Sequence, residues 1–395
     1  MMKRILSFIL VSAFLFASLS LEISAQIPNY EYNNEYSELL FSLDVLDSSE
    51  LNGNPVTRAQ FVKYAMKLAG IHISPYKGTE FKDVPNSHAD YGYIMSAVDF
   101  GLISIAEYFR PDDTIAPTEA LKIIVHLLGY DFMAASKGGY PTGYLQTAQT
   151  IDLSKGIDIS VLTMSDYDVC ALLYNALNVK LPEVSYTEEG NEYYIGTATI
   201  LQKYRGIIEV TGIVDGVSHY SEYNVQGLGE SRISINGTIY STGSLNCDSL
   251  FGYDVVAYYD TKAKCLITCT PTDSNNVVSI YAEDIVSFKN GTFEYIDKDY
   301  RNKTLSIKPD STIFYNGRLF NYNELKMLPE SGSLTFVSPS GSGAYTTLYI
   351  KSYRTIVVSS VSASNKYYLA DKYSSADVLV IDPNETEVIV TDQDG

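Results

Sequence analysis

The sequence predicts a multidomain chain: an N-terminal all-α, pseudo-threefold helical bundle, followed by all-β modules built as small barrels or sandwiches. Three observations carry this expectation. A pattern of short helix, turn and longer capped helix returns three times between Tyr36 and Leu181. Units of that size cannot cover their own apolar faces and must pack on one another. After Pro182 the apolar period changes to two, in runs rich in valine, isoleucine, threonine and tyrosine. The balance of 46% hydrophobic to 19% charged residues over 395 positions supplies several cores and rules out a disordered chain.

The chain opens with Lys3-Arg4, an apolar run from Ile5 to Leu21, and the small-residue step Ser24-Ala25 before Gln26. This predicts a signal peptide over 1–25 and a mature chain starting at Gln26. An uncleaved anchor is the alternative. The run is shorter than the ~20 residues of a comfortable span, and Glu22 follows at once. No cysteine lies near the cut, which excludes a lipoprotein anchor. After cleavage no membrane contact is expected.

Residues 36–181 hold the three helical units, with the clearest copy at 77–135. In the first, Thr57 and Gln60 form a capping box, Phe61, Ala65, Leu68 and Ala69 share one face, and Gly70 supplies the stop. In the second, Pro117 takes the first helical position and the helix runs from Ala116 to Gly129. In the third, Thr163 pairs with Asp166 at the capping spacing. Shorter amphipathic helices precede these, at Leu39 to Leu46, Tyr93 to Leu102 and Tyr144 to Leu153.

Phe81-Lys82-Asp83-Val84, Gly101-Leu102-Ile103, Phe109-Arg110-Pro111 and the opening Thr57-Arg58-Ala59-Gln60 resemble S-layer homology repeats of Gram-positive, clostridial-like cell envelopes. The resemblance implies a three-fold helical bundle that attaches non-covalently to secondary cell-wall polysaccharide, often pyruvylated. It implies glycan contact by Arg58 and Asp83. With no tryptophan in the chain, Tyr91 or Tyr93 would stack on the sugar. The counterparts of Arg58 in the other units are read as Pro117 and Met164, neither able to pair with a carboxylate, so at most one groove keeps this chemistry. Each residue also has a structural alternative. Arg58 sits in a first helical turn against the dipole preference and needs a partner, which a carboxylate of this chain could supply. Asp83 could cap the following turn, and Tyr91 and Tyr93 could be core or rim residues.

Residues 182–192, with Thr187-Glu188-Glu189-Gly190-Asn191, read as a polar linker. Beyond it lie β module 1 over 193–280, module 2 over 281–358, and the start of an incomplete module 3 over 359–395. Asn236-Gly237, Asn290-Gly291 and Asn316-Gly317 are hairpin turns. Asp392-Gln393-Asp394-Gly395 superficially matches the start of a calcium loop, and a hairpin turn fits it better.

The net charge of −19 argues against nucleic acid as a partner. The four histidines, His72, His88, His126 and His219, show no ligand spacing, and no metal or other cofactor is expected. Cys170 falls in a helical pattern. Cys265 and Cys269 would face the same side of a strand, about 13 Å apart and too far to bridge. Cys247 could reach one of them, or all could remain free thiols. No catalytic motif stands out. The expected function is that of a secreted, non-enzymatic wall or S-layer protein, with other envelope proteins as further partners. The alternatives are a glycan-processing enzyme on the same anchor, or an envelope scaffold whose helical repeats bind protein.

Overall fold

The computed structural model describes residues 34–73, 81–187, 190–224, 226–322, 327–339, 345–353, 357–363, 367–371 and 378–381. The expected signal peptide and the chain terminus with Asp392 to Gly395 lie outside them. The chain divides into two compact units, 1–207 and 208–395.

The first unit is helical: α1 (Asn34–Ser42), α2 (Arg58–Leu68), α3 (Tyr91–Asp99), α4 (Pro117–Leu127), α5 (Asp131–Ser136), α6 (Thr142–Thr150) and α7 (Asp166–Asn178). Thr57 caps α2 as its sequence predicts, its hydroxyl accepting from Gln60 N while the Gln60 amide oxygen accepts from Thr57 N. Phe61, Val62, Ala65 and Leu68 are buried, together with Ile94 and Met95 of α3, Leu121 and Ile124 of α4, and Leu172 and Leu173 of α7. The third cap differs from expectation. Ser165, not Thr163, pairs with Asp168, and α7 starts two residues later than the Thr163 cap would set it. Asp166 therefore occupies the first helical position, where Met164 had been expected to stand for Arg58.

The segments just before α2, α4 and α7 are joined by backbone hydrogen bonds in a closed ring. Val56 N donates to Met164 O (3.0 Å), Met164 N to Ile115 O (3.0 Å), and Ile115 N to Val56 O (2.9 Å). Each of these residues immediately precedes an N-cap, and all three are buried. Satisfying these groups internally lets the helix N-termini converge without unpaired backbone polar atoms. Asp166 tightens the junction, accepting from the backbone N–H of Asn52 (2.7 Å), Gly53 (3.0 Å) and Asn54 (3.2 Å).

The stretch expected as a linker forms strands instead. β1 (Lys180–Thr187) pairs antiparallel with β2 (Gly190–Thr199). The Tyr193 ring stacks on Phe132 of α5, with centroids 4.0 Å apart. Polar composition hid a ladder whose backbone bonds and tyrosines hold it.

The second unit is β-rich. One sheet runs β6 (Thr238–Ser241), β5 (Arg232–Ile235), β3 (Ile207–Val217), β7 (Asp254–Asp260), β8 (Cys265–Pro271), with the short β4 (Tyr220–Ser221) paired to β3. A second runs β10 (Ile285–Lys289), β11 (Thr292–Ile296), β12 (Asn302–Tyr315), β15 (Tyr345–Ser352), β14 (Gly332–Ser338), β9 (Asn276–Tyr281), with the short β13 (Arg318–Leu319) paired to β12. The sheet boundary thus falls before Asn276. The β12–β15 pair is parallel. The Asn236-Gly237 turn joins β5 to β6 with φ of 48° and 76°, both positive, as a type I′ hairpin requires.

A bulge reshapes β8. Tyr258 faces Thr268 and Tyr259 faces Leu266, so Ile267 is the extra residue. One inserted residue reverses the side-chain alternation. Cys269, opposite Ala257, points into the core with Leu266, whereas Cys265 beside Leu266 points the other way. The same-face expectation for Cys265 and Cys269 is corrected accordingly.

Candidate functional site

The site grows from the first turn of α2 and the strap Phe109 to Asp113 that precedes α4. Arg58 opens α2, and its backbone N–H donates to Asp113 O (2.9 Å). Its Nε donates to Phe109 O (2.9 Å) and its Nη1 to Glu119 Oε1 (2.5 Å). The guanidinium carbon lies 5.2 Å from the Phe109 ring centroid. Glu119 is the third residue of α4, and its other oxygen accepts from Ala116 N (3.3 Å). The partner that Arg58 needs is thus a carboxylate of this chain, with a side-chain exposure of 18% for Arg58 and 28% for Glu119.

Asp83 holds the same strap from the other side. Its carboxylate accepts from Phe109 N (2.9 Å) and Arg110 N (2.7 Å). Burial acts to raise its pKa, but these two N–H donors and the Arg110 charge outweigh it and keep the carboxyl below the usual range. Arg58 and Asp83 therefore meet through Phe109–Arg110. Tyr91 and Tyr93 are half-buried in the first turn of α3. The loop before them connects to the strap through His88, whose Nε2 lies 3.6 Å from Asp112 Oδ1. Among the described residues, no ring contact joins Tyr93 to Arg58 or Asp83.

Sequence reasoning missed Arg110 as a site residue. It has a positive φ of 60°, and its guanidinium is 59% exposed. Its nitrogens lie 3.8 Å from both Asp113 Oδ2 and Glu119 Oε1, beyond hydrogen-bond reach, so its donors are open to a further acceptor. The signal was present in Phe109-Arg110-Pro111, where a charged residue interrupts a packed turn. Lys82 and Tyr108 flank it, with the Lys82 ammonium 6.0 Å from the Tyr108 ring centroid and 2.8 Å from Glu107 Oε1.

A second cation and aromatic set lies between α4 and α6, where Pro117 had argued against one. Lys122 Nζ is 5.2 Å from the Tyr140 ring centroid. His126 Nδ1 is 2.5 Å from Asp131 Oδ2, and Tyr144 OH donates to Asp131 Oδ1 (2.8 Å). The hydrogen bond to Asp131 raises the His126 pKa against burial. Burial and the same carboxylate push the Tyr144 phenol up to about 12.

The family model described as the S-layer homology domain matches residues 80–115. That span contains Asp83, Tyr91, Tyr93 and Arg110, and ends four residues before Glu119. No curated protein matches the chain.

Proposed function

We propose, from the premise that this chain carries an S-layer homology domain of the cell envelope, that it is a secreted, non-enzymatic wall protein gripping secondary cell-wall polysaccharide at the Arg58–Arg110 groove. The domain indicates anchoring at the cell surface to cell-wall polymer. The finer reading rests on one observation: Arg110 presents an open guanidinium above the Arg58–Glu119 ion pair. An acidic group on the polymer, such as a pyruvyl ketal, would accept the planar fork of Arg110, with Arg58 beneath it fixing Glu119 and the strap. Asp83 holds the strap in shape, and Tyr91 and Tyr93 supply aromatic rim for sugar faces. The pseudo-threefold bundle belongs to the same reading. It is supported by the ring of Val56, Ile115 and Met164, three like positions bonded head to tail.

The test is retention of the full chain on purified cell-wall sacculi. A charge-assisted contact is worth about 1.5–3 kcal/mol, so Arg110→Ala should weaken binding by roughly 10- to 100-fold. Arg110→Lys should recover part of it. Unchanged retention by a folded Arg110→Ala protein would remove this groove from the account.

A further inference from the structure

The four cysteines of the chain are all free thiols in this structure. Cys170 is buried in α7 of the first unit, where burial, followed by the nearby Asp166 charge, pushes its pKa to about 12 and makes it inert. The second unit holds the other three. Cys247 is buried in the core formed by β3, β5, β7 and β8 with Val255, Ala257, Leu266 and Phe251, and Cys269 packs against the same core. The two thiols are neighbours there, and each perturbs the ionisation of the other. Cys265 is absent from that core, because the bulge at Ile267 turns it to the other face.

Both partners are held in place. Cys269 sits in register opposite Ala257, on the core side of the β7–β8 ladder. Cys247 caps the short 3₁₀ turn Asp248–Leu250, its carbonyl accepting from Leu250 N (3.0 Å). That turn is tied down in its own right, since Asp248 Oδ1 accepts from Ser218 N (3.1 Å) and Ser218 Oγ (2.6 Å). Cys247 also lines an open cavity of about 370 Å³ with Ser218, Arg232, Gly243, Asn246 and Asp248, which brings a small reagent up to this residue.

We propose that Cys247 and Cys269 are a disulfide-forming pair, closed by thiol–disulfide exchange with a low-molecular-weight disulfide when the chain meets an oxidising medium. The inference stands on the second unit alone and is independent of wall binding. Cys247, and not Cys269, lines the cavity, and the neighbouring Cys269 thiol holds the Cys247 pKa below the ordinary thiol value despite burial, so Cys247 is the first nucleophile. Its thiolate attacks one sulfur of the small disulfide through the cavity. That S–S bond breaks and releases one small thiol, leaving a mixed disulfide on Cys247. Cys269 then gives up its proton and attacks the Cys247 sulfur, expelling the second small thiol. Two protein thiols are oxidised and one small disulfide is reduced to two thiols. The closed bond ties β8 to the loop that walls the cavity and constrains the unfolded chain.

The experiment equilibrates the full chain under native conditions with glutathione disulfide, blocks remaining thiols with an alkylating agent, and maps unreduced peptides by mass spectrometry. The expected result is one linked pair, Cys247 with Cys269, and alkylation of Cys170 and Cys265 after denaturation. Thiol titration in denaturant should show a loss of two of the four thiols. Cys265→Ser should leave the link intact, and Cys269→Ser should stop the reaction at a glutathione adduct on Cys247. Four alkylated thiols in the wild-type chain would overturn the proposal, as would a link through Cys265 or a persistent glutathione adduct on Cys247.

Discussion

At the residue scale, two arginines around one carboxylate divide the work. Arg58 spends its donors on Phe109 O and Glu119, whereas Arg110 is more exposed and its donors point past hydrogen-bond distance. Arg58→Ala should therefore appear first as lost stability of the helical unit, about 1.5–3 kcal/mol, because it leaves Glu119 and the Phe109 carbonyl short of a donor. Arg110→Ala should cost less than about 1 kcal/mol in stability, as exposed pairs do. Denaturant melts of the two variants check this contrast, and equal losses would contradict it. Asp83 behaves like Arg58. Its pKa is depressed in the folded state, so its contribution is present above the unfolded value near 4 and is lost as pH falls through the folded pKa. Asp83→Asn should accordingly remove part of the acid dependence of unfolding below about pH 4.

At the element scale, helix starts were readable where one cap candidate stood alone and misread where two competed. Thr57 had no rival. Thr163 and Ser165 each have an acid three residues on, and local sequence cannot choose between them. The choice falls to the backbone ring, which needs Met164 immediately before the cap. Asn-Gly hairpins were legible because both φ values must be positive there, but the bulge at Ile267 leaves no mark in composition, and it decides which way Cys265 faces. The β1–β2 hairpin was hidden by its charged middle. Two predictions belong here. Asp166→Ala should take the side-chain acceptor from the backbone N–H groups of Asn52 and Gly53, while Asn54 N keeps Asn52 Oδ1, and cost about 1–3 kcal/mol, read as a lower melting midpoint of the helical unit. The His126–Asp131 pair should give a modest pH signal. The raised His126 pKa contributes stability fully below about pH 6.5, lost as pH rises through the folded value. Both side chains are 40% exposed, so solvent screening keeps the effect below about 1 kcal/mol. Melting curves across pH 6 to 9 should slope downward, and His126→Asn should flatten them.

At the scale of the whole molecule, the order of parts was legible and the chemistry only partly so. Helical repeats followed by strands follow from period and turn residues alone. The groove itself required the fold, since Arg58 and Glu119 lie 61 positions apart and meet only when α2 and α4 converge on the ring. A chain of net charge −19 gains nothing from long-range attraction to an acidic polymer, so the proposed attachment rests on local contacts at such a groove. The central claim is that this chain holds a secondary wall polymer. Its most direct test is co-sedimentation of the full protein with purified sacculi before and after chemical removal of that polymer. The account predicts retention on intact sacculi and its loss once the polymer is stripped. Equal retention on stripped sacculi, or none on intact ones, would contradict it.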